Sequence, residues 1–377
     1  MKAFDKKKLK YTSKDTPDHI LKQIKARSDK YFENKKEGKN AGPLLWIKAF
    51  VFLAIFGAAF YTTFQIDSFI ILCLLYLTMG TSLLLLGINL GHDAAHHCIT
   101  GNKKIDDLLF QFSFNINGMG SYYWQIRHNS SHHIFPNVLN YDSDLETTNL
   151  LLLHSSQKSH YWHKFQHIYA TFLYMLSSIL WILFIDFTFF FKKQQANLNF
   201  KKFQAYELAK MAVIKVNYLV IFVALPIYFS SFSTWQIISA FLIMHFLVSA
   251  FLTYTFFISH HVQEVPYIAA EESKQLVDDA WVHHQIITTI DFNADSPVAN
   301  FIFGGFNLHI AHHIFPEVCH THYPELTKII KEVLAENKLD WYQSFSFFEG
   351  VSSHIKHLKK TAEEIIEEQD LQISQSY

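Results

Sequence analysis

Residues 68–97 read SFIILCLLYLTMGTSLLLLGINLGHDAAHH, an apolar run that ends directly in a histidine-rich motif. The apolar part, Ser68–Leu90, has the length of about 20 residues that a helix needs to cross the hydrocarbon core of a bilayer. His92 and His96 then lie four residues apart, so on a helix they share one face about 5–6 Å apart. The stretch therefore predicts a membrane-spanning helix that carries imidazole groups to one membrane surface.

Four further apolar runs share this character, and they are Pro43–Phe64, Ile168–Phe191, Met211–Phe229 and Trp235–Ile258. Basic residues flank one of them on both sides, with Lys164 before Ile168–Phe191 and Lys192 after it. The positive-inside rule places both flanks in the cytoplasm, which a single straight span cannot satisfy. We therefore predict an all-α integral membrane protein with four transmembrane helices (about 43–64, 68–90, 211–229 and 235–258). Residues 168–191 are predicted to form an interfacial or re-entrant helix, and a true fifth span is the alternative.

The composition supports a membrane domain with polar ends. Half of the 377 residues are hydrophobic and 17% are charged, below the roughly 25% typical of soluble domains. We predict a Lys-rich cytoplasmic N-terminal tail (1–42), a membrane domain (43–360) and a charged C-terminal tail (361–377). Both termini and the histidine motifs are expected on the cytoplasmic side of a bacterial inner membrane or the endoplasmic reticulum. The net charge of −1 provides no field that would attract nucleic acid.

Histidine is the main chemical signal, with 23 copies in the chain. Three motifs have metal-ligand spacing, namely His92-Asp-Ala-Ala-His96-His97, His128-Asn-Ser-Ser-His132-His133 and His309-Ile-Ala-His312-His313. With His260 at the end of the last apolar run, the candidate ligands are His92, His96, His128, His132, His133, His260, His309, His312 and His313. Nine imidazoles are too many for one tetrahedral zinc and suit two ions with open positions. Nitrogen ligands favour zinc, copper, iron or nickel, and we predict a dinuclear iron site that binds and reduces O2.

The other histidines are predicted to have structural or solvated roles. His97 follows His96 and points about 100° away on a helix, so it is expected outside the site, and His245 is expected to pack inside its helix bundle. We predict surface positions for His283, His284, His320, His322, His354 and His357, and no direct metal role for His154, His160, His163 and His167. A ligating imidazole usually donates its other N–H to a carboxylate or carbonyl. The candidates to support the ligands in this way are Asp93, Asn137, Asp142, Asp144, Asp291 and Asn307.

These motifs resemble those of the membrane fatty acid desaturase family: His92-Asp-x-x-His96, His128-Asn-x-x-His132-His133 and His309-x-x-His312-His313-Ile-Phe-Pro316. The resemblance implies a mushroom-like bundle of four transmembrane helices under a cytosolic cap. It also implies two iron ions (Fe2+/Fe3+) held by histidines, and His260 resembles the family's additional ligand. The implied reaction inserts a double bond into a fatty acyl chain, consumes O2 and two electrons, and forms water. The metal centre itself is the catalytic group, and no separate protein nucleophile is expected.

The local pattern is most similar to the linoleoyl-type or front-end branch, in which the third motif usually begins with Gln where this chain has His309. No His-Pro-Gly-Gly haem motif of a cytochrome b5 domain occurs in the sequence. Electrons are therefore expected from a separate protein, such as ferredoxin or cytochrome b5. The acyl chain is expected to arrive on CoA, on an acyl carrier protein or in a membrane lipid. It would enter a passage supplied by aromatic residues of Leu108–Trp124 and Phe301–Phe306.

Two alternatives remain at this point. A hydroxylase, ketolase or epoxygenase of the same superfamily would share the motifs and add oxygen to the chain instead of removing two hydrogens. A membrane zinc transporter or receptor would also use histidines. Transport sites usually lie near the bilayer midplane on interrupted helices, whereas the motifs here lie at the ends of the predicted spans.

Overall fold

The computed structural model describes residues 4–6, 9–12, 19–146, 149–154, 156–200, 203–271 and 276–375. Sixteen α-helices are found in these ranges: α1 (His19–Glu33), α2 (Pro43–Thr62), α3 (Phe69–Leu86), α4 (His92–Ala95), α5 (Lys103–Ile116), α6 (Ser121–Arg127), α7 (Gln166–Leu180), α8 (Asp186–Phe191), α9 (Ala205–Leu219), α10 (Leu225–Phe229), α11 (Thr234–His260), α12 (Trp281–Ile287), α13 (Pro297–Ile302), α14 (His309–Ile314), α15 (Tyr323–Glu336) and α16 (Phe347–Gln375). π-helical turns join several of them, at Gly87–Gly91, His128–His132, Trp181–Ile185 and Val220–Ala224. Short 3-10 turns lie at Ser143–Leu145, Tyr161–Phe165, Phe306–Leu308 and His320–His322.

Five continuous helical segments in the described residues are long and apolar enough to cross a membrane: Pro43–Thr63, Phe69–Ala95, Tyr161–Phe191, Ala205–Phe229 and Thr234–His260. Each matches one of the predicted apolar runs, and the first two runs extend one residue outside their segments, at Phe64 and Ser68. The prediction of a largely helical protein with membrane-spanning apolar helices is therefore confirmed. The segment predicted to be interfacial has the same length and composition as the others, so these properties alone do not separate four spans from five.

The packing core of the spans lies between α2, α3 and α11. Leu72, Tyr76 and Met79 of α3 are buried in one apolar cluster with Met244 of α11. A methyl group on Gly80 would meet the Met244 side chain at 2.5 Å, so glycine allows α3 and α11 to approach closely. Large apolar side chains on the outer faces are exposed, including Phe50, Ile70, Phe172, Val213 and Trp235. These faces are suited to contact with lipid.

The two predicted tails contribute helices to the folded body. Ile20 and Ile24 of α1 are fully buried in an apolar cluster with Ile330 of α15. Near the other end, α16 continues across residue 360, and its Leu358 and Ala362 are buried. Packed helices are therefore found before residue 42, and α16 continues past residue 360.

Short strands join distant loops. They are β1 (Phe4–Lys6), β2 (Lys10–Tyr11), β3 (Gln194–Gln195), β4 (Leu198–Phe200), β5 (Leu276–Val277), β6 (Asp291–Phe292) and β7 (Ser344–Phe345). β4 pairs antiparallel with β1 and β3, while β2 pairs parallel with β5 and β6 pairs parallel with β7. The all-α prediction missed these pairs because strands of two or three residues have no recognisable hydrophobic period.

Candidate metal centre

All nine predicted ligands converge in two adjoining groups of buried imidazoles. The five-histidine group consists of His92, His96, His128, His133 and His312. The four-histidine group consists of His132, His260, His309 and His313. Within each group, one ring nitrogen from every residue lies within 4.8 Å of the others.

Local backbone geometry explains how the second motif presents its rings. His128–His132 is a π-helical turn, in which the His133 N–H donates to the His128 carbonyl at 3.0 Å. Because residues five apart come into register in such a turn, the His128 and His133 Nε2 atoms are only 2.9 Å apart. His132 points elsewhere, with its ring centroid 4.6 Å from that of His260.

Adjacent histidines therefore serve different groups. His133 belongs to the five-histidine group and His132 to the four-histidine group, and His312 and His313 divide in the same way. Neighbouring residues on a helix point about 100° apart, so a doubled histidine can reach two sites from one backbone position. The first motif differs, because its two members, His92 and His96, lie in the same group.

The ring nitrogens have the arrangement that a metal ion needs. His128 Nε2 lies 3.1 Å from the Nε2 atoms of both His92 and His96. Among the described residues, the buried Nε2 atoms of His260, His312 and His313 have no hydrogen-bond partner. Burial, reinforced by the neighbouring imidazoles, holds the pKa values of six candidate ligands well below the ordinary histidine value, and they are His96, His128, His133, His309, His312 and His313. Neutral imidazoles that converge on one point fit a metal with nitrogen ligands.

Four of the candidate ligands are held through their second ring nitrogen. His132 Nδ1 lies 3.1 Å from an Asp142 carboxylate oxygen, and His260 Nδ1 lies 2.9 Å from the Thr288 carbonyl. His313 Nδ1 lies 3.0 Å from Gln285 Oε1, and His312 Nδ1 lies 3.0 Å from the Tyr323 hydroxyl. Contacts of this kind fix the orientation of an imidazole, so that its Nε2 faces the metal position.

Three of the predicted supporting residues lie beside the ligands. Asp142 contacts His132 directly, and Asp144 lies 3.7 Å from the same ring while it pairs with Arg127 at 3.1 Å. The Asn137 backbone N–H donates to Asp142 at 2.9 Å, and its side-chain amide donates to the His260 carbonyl at 2.9 Å. Asn137 therefore contacts both the carboxylate that supports His132 and the backbone of His260.

The other three predicted supports make different contacts. Asp93 Oδ1 lies 3.9 Å from His92 Nδ1, beyond hydrogen-bond distance, whereas Asp93 Oδ2 accepts from His320 Nδ1 at 2.8 Å. Asp291 accepts the Ile310 backbone N–H at 2.9 Å at the start of α14. The Asn307 amide donates to Asn300 at 2.6 Å. None of these three side chains lies within hydrogen-bond distance of a candidate ligand ring, and Asp291 instead holds the backbone at the start of α14.

The predictions for the remaining histidines have a mixed outcome. His97 has a φ of +59° and lies 2.7 Å from Asp107, outside both groups, and His245 is packed against Ser178 and Tyr218 as predicted. The prediction of surface positions is wrong for five residues, because His284, His320, His322, His354 and His357 are buried. Each has a hydrogen-bond partner, such as the Pro136 carbonyl at 2.9 Å from His284 Nε2, and a paired neutral imidazole is tolerated in a protein interior.

Sequence reasoning did not assign Tyr323 or Thr288 to the site. Thr288 contributes its backbone carbonyl, which any residue type could provide, so its side chain carried no signal. Tyr323 lies 11 positions after His312, a separation with no helical meaning. Gln285 lies 28 positions before His313, so its contact with that ring could not be read from its position in the sequence.

The fold and this centre define a helical membrane protein with a buried, all-histidine candidate metal site. The sequence profile of the family described as "Fatty acid desaturase" matches residues 68–345. The chain belongs to this family, whose members compared below are oxidoreductases.

Curated relatives support the branch predicted from the motifs. The chain is 26% identical to the sn-1 linoleoyl-lipid 6-desaturase of Synechocystis sp., over 93% of this chain and 97% of the relative. It is 25% identical to the enzyme of the same name from Arthrospira platensis, over 90% and 91%. It is 28% identical to acyl-lipid (8-3)-desaturase B of Dictyostelium discoideum, over 89% of this chain and 74% of the relative. The resemblance to the linoleoyl or front-end branch is therefore confirmed.

Proposed function

We propose that this protein inserts a double bond into an acyl chain of a membrane lipid, towards the carboxyl end of that chain. The observation that carries the proposal is the pair of adjoining, buried groups of imidazoles, formed by eight of the motif histidines together with His260. The lipid is favoured over acyl-CoA or an acyl carrier protein because the relatives named above are lipid-acting desaturases.

Each histidine group would hold one iron ion, the first with five imidazole donors and the second with four. Nitrogen donors suit iron, and the absence of thiolates among them suits a centre that works with a strong oxidant. When bound, the two ions supply the O2-dependent oxidation that removes hydrogen from two adjacent methylene groups. The residues around them would hold the imidazoles in the correct orientation. Electrons would come from a separate donor such as ferredoxin or cytochrome b5.

Aromatic side chains from both predicted segments form apolar surface beside the five-histidine group. The Trp124 ring stacks on His128 at a centroid distance of 4.4 Å, and Phe110 and Phe114 pack on Trp124. From the other segment, Phe306 lies 4.5 Å from the His92 ring. These rings would orient the acyl chain against the centre and exclude water from it.

Contacts at both ends of the Tyr161–Phe191 segment support an interfacial position and four true spans. At its start, the Gln166 amide donates to the Leu358 carbonyl of α16 at 2.7 Å. His354 of the same helix contacts the backbone carbonyl of His261, which follows His260. At its end, the Phe189 ring lies 4.6 Å from the Arg127 guanidinium, directly before His128. A straight span could not have both ends beside the same centre. With this topology, the centre and both termini lie on the cytoplasmic side.

The test is expression in a host with a simple fatty acid profile, followed by mass spectrometry of fatty acid methyl esters with double-bond location. We expect a new unsaturated acid with the double bond near the carboxyl end, absent from a His312→Ala variant. A new oxygenated acid would instead support a hydroxylase, ketolase or epoxygenase. The iron and zinc content of the purified protein completes the test, because one zinc and no iron per chain would contradict the proposed centre.

A further inference from the structure

A buried chain of polar groups lies beside the five-histidine group and has no part in the function proposed above. Asp93 accepts the His320 Nδ1–H at 2.8 Å and the His320 backbone N–H at 3.0 Å. On the other side of the same ring, His320 Nε2 lies 3.0 Å from the Lys48 ammonium. Lys48, Asp93 and His320 are 1%, 1% and 2% exposed. The three residues come from α2, α4 and the turn that follows the third histidine motif.

The hydrogen-bond partners fix which ring nitrogen of His320 carries a proton. Since Asp93 can only accept, His320 Nδ1 must carry a proton, and Nε2 is then free to accept a hydrogen bond from Lys48. A neutral imidazole thus connects a buried cation to a buried anion. Neither charge has to be buried without compensation, which would be costly.

A third metal site at this position is disfavoured. Asp93, Cys319 and His320 do have ligand atoms within 4.8 Å of one another. However, the only ring nitrogen of His320 with a free lone pair faces the Lys48 ammonium. That positive charge would repel a metal ion, so the group is better explained as a structural connection.

The same turn also contacts the third motif. Tyr323, three residues after His320, has its hydroxyl 3.0 Å from His312 Nδ1. The turn is tightly packed, because a methyl group on Gly305 would meet the Tyr323 ring at 2.7 Å and the His320 Cβ at 2.8 Å. Gly305 has a φ of +87°, which glycine tolerates best. The Cys319–Tyr323 segment, which we name the 319–323 turn, therefore connects to the first motif through Asp93 and to the third through His312.

We propose that His320 and Tyr323 of the 319–323 turn, together with Lys48, position the five-histidine group alone. Asp93 lies between His92 and His96 on a single helical turn, α4, so an anchor on Asp93 sets the position of both ligands. His312 belongs to the same group. The contacts that orient the four-histidine group come from elsewhere, through Asp142, Thr288 and Gln285. The inference rests on the proposed function, because it assumes that both groups hold iron.

The experiment uses the full-length protein, purified in detergent and loaded with 57Fe(II), and measures iron per chain and the Mössbauer spectrum. His320→Gln removes the link between Lys48 and Asp93. The matched control is His322→Gln, because His322 lies on the same turn and is buried, but contacts Tyr31 and the Asn40 carbonyl. Lys48→Met removes only the ammonium group that contacts His320, and Lys48→Arg keeps a positive charge at that position.

We expect His320→Gln to weaken iron binding at one site by about 10–100-fold, the usual effect of losing a supporting contact. Iron would fall from two towards one per chain, with one Mössbauer component lost and the other unchanged. Lys48→Met should act in the same direction, whereas His322→Gln and Lys48→Arg should resemble the wild type. If His320→Gln does not fold, Lys48→Met decides by the same criteria.

Two results would overturn the inference. Equal changes at both sites would show that the turn does not act on one group, and an unchanged spectrum would show that it positions neither. In both cases a wild type with two irons leaves the proposed function intact. A wild type that binds no iron contradicts the proposed function, and the positioning role falls with it.

Discussion

The Asp142 carboxylate lies 3.1 Å from Nδ1 of His132, the one ligand outside the candidate spans whose pKa is raised. Burial alone would lower the pKa of His132, but the charges of Asp142 and Asp144 outweigh it and raise the pKa to about 8. The ring faces His260 and His313 of the four-histidine group. The carboxylate therefore both orients this ligand and makes its imidazole more basic.

Replacement of Asp142 should weaken metal binding at the four-histidine group. Asp142→Ala removes the acceptor, and we expect an affinity loss of about 10–100-fold. Asp142→Asn keeps an oxygen that can accept from His132, so its loss should be smaller. Iron retained against a graded series of chelator concentrations measures both effects. Wild-type retention in Asp142→Ala would contradict the assigned role.

His312→Ala should abolish activity, while His97→Ala should have a mild effect. His312 is a member of the five-histidine group, with its ring 4.4 Å from that of His133. Loss of a ligand should cost more than loss of a supporting contact, so activity should fall by about 100-fold or more. His97 instead contacts Asp107, outside the centre. Fatty acid profiles and iron content of the two variants, at matched membrane levels, test the difference, and equal losses would place His97 in the site.

Asp291→Asn should change how stability depends on pH. Burial raises the pKa of Asp291 to about 7, against the opposing effect of its hydrogen bonds from Ile310 and Tyr342. An unfolded Asp titrates near 3.9, so between these values only the folded state holds the proton. The stabilisation is complete at about pH 4 and is lost as pH rises to about 7, at about 1.4 kcal/mol per pH unit. The slope is negative because the folded state binds more protons than the unfolded state.

An Asn side chain cannot ionise, so the variant should lose this slope and unfold at a higher temperature than the wild type at pH 8. Differential scanning fluorimetry between pH 5 and pH 8 measures the shift. Asp295→Asn is the control, because the Asp295 side chain is 93% exposed. Parallel curves for wild type and Asp291→Asn would show that Asp291 does not titrate in this range.

Cysteine labelling should place both ends of the Tyr161–Phe191 segment on the same side of the membrane. In a Cys73→Ser background, Lys164→Cys and Lys193→Cys introduce thiols at exposed positions on either side of the apolar run. We expect a membrane-impermeant maleimide to label both from the cytoplasmic side only. Asp67→Cys, in the exposed turn between the first two apolar helices, should be labelled from the opposite side. Labelling of Lys164→Cys and Lys193→Cys from opposite sides would establish a fifth span.

The sequence allowed prediction of features that depend on nearby residues. Helical spacing predicted eight of the nine histidines, the end of the last apolar run predicted His260, and the lengths of the apolar runs predicted the membrane helices. Contacts between distant residues could not be predicted in this way. Asp93 and His320 are 227 positions apart, and Lys48 and His320 are 272 apart. Hydropathy also treats every histidine as polar, so it gave no sign that His284, His354 and His357 are buried with partners of their own.

The division of the doubled histidines has a consequence for protein engineering. Because His132 and His133 reach different groups, as do His312 and His313, deleting the complete second or third motif would damage both groups at once. A redesign for a single ion would have to replace alternate members, for example His132 and His313 while sparing His133 and His312. A one-residue insertion within His128–His132 would be more disruptive than many substitutions, since it would turn both rings of the doublet by about 100° in the same sense.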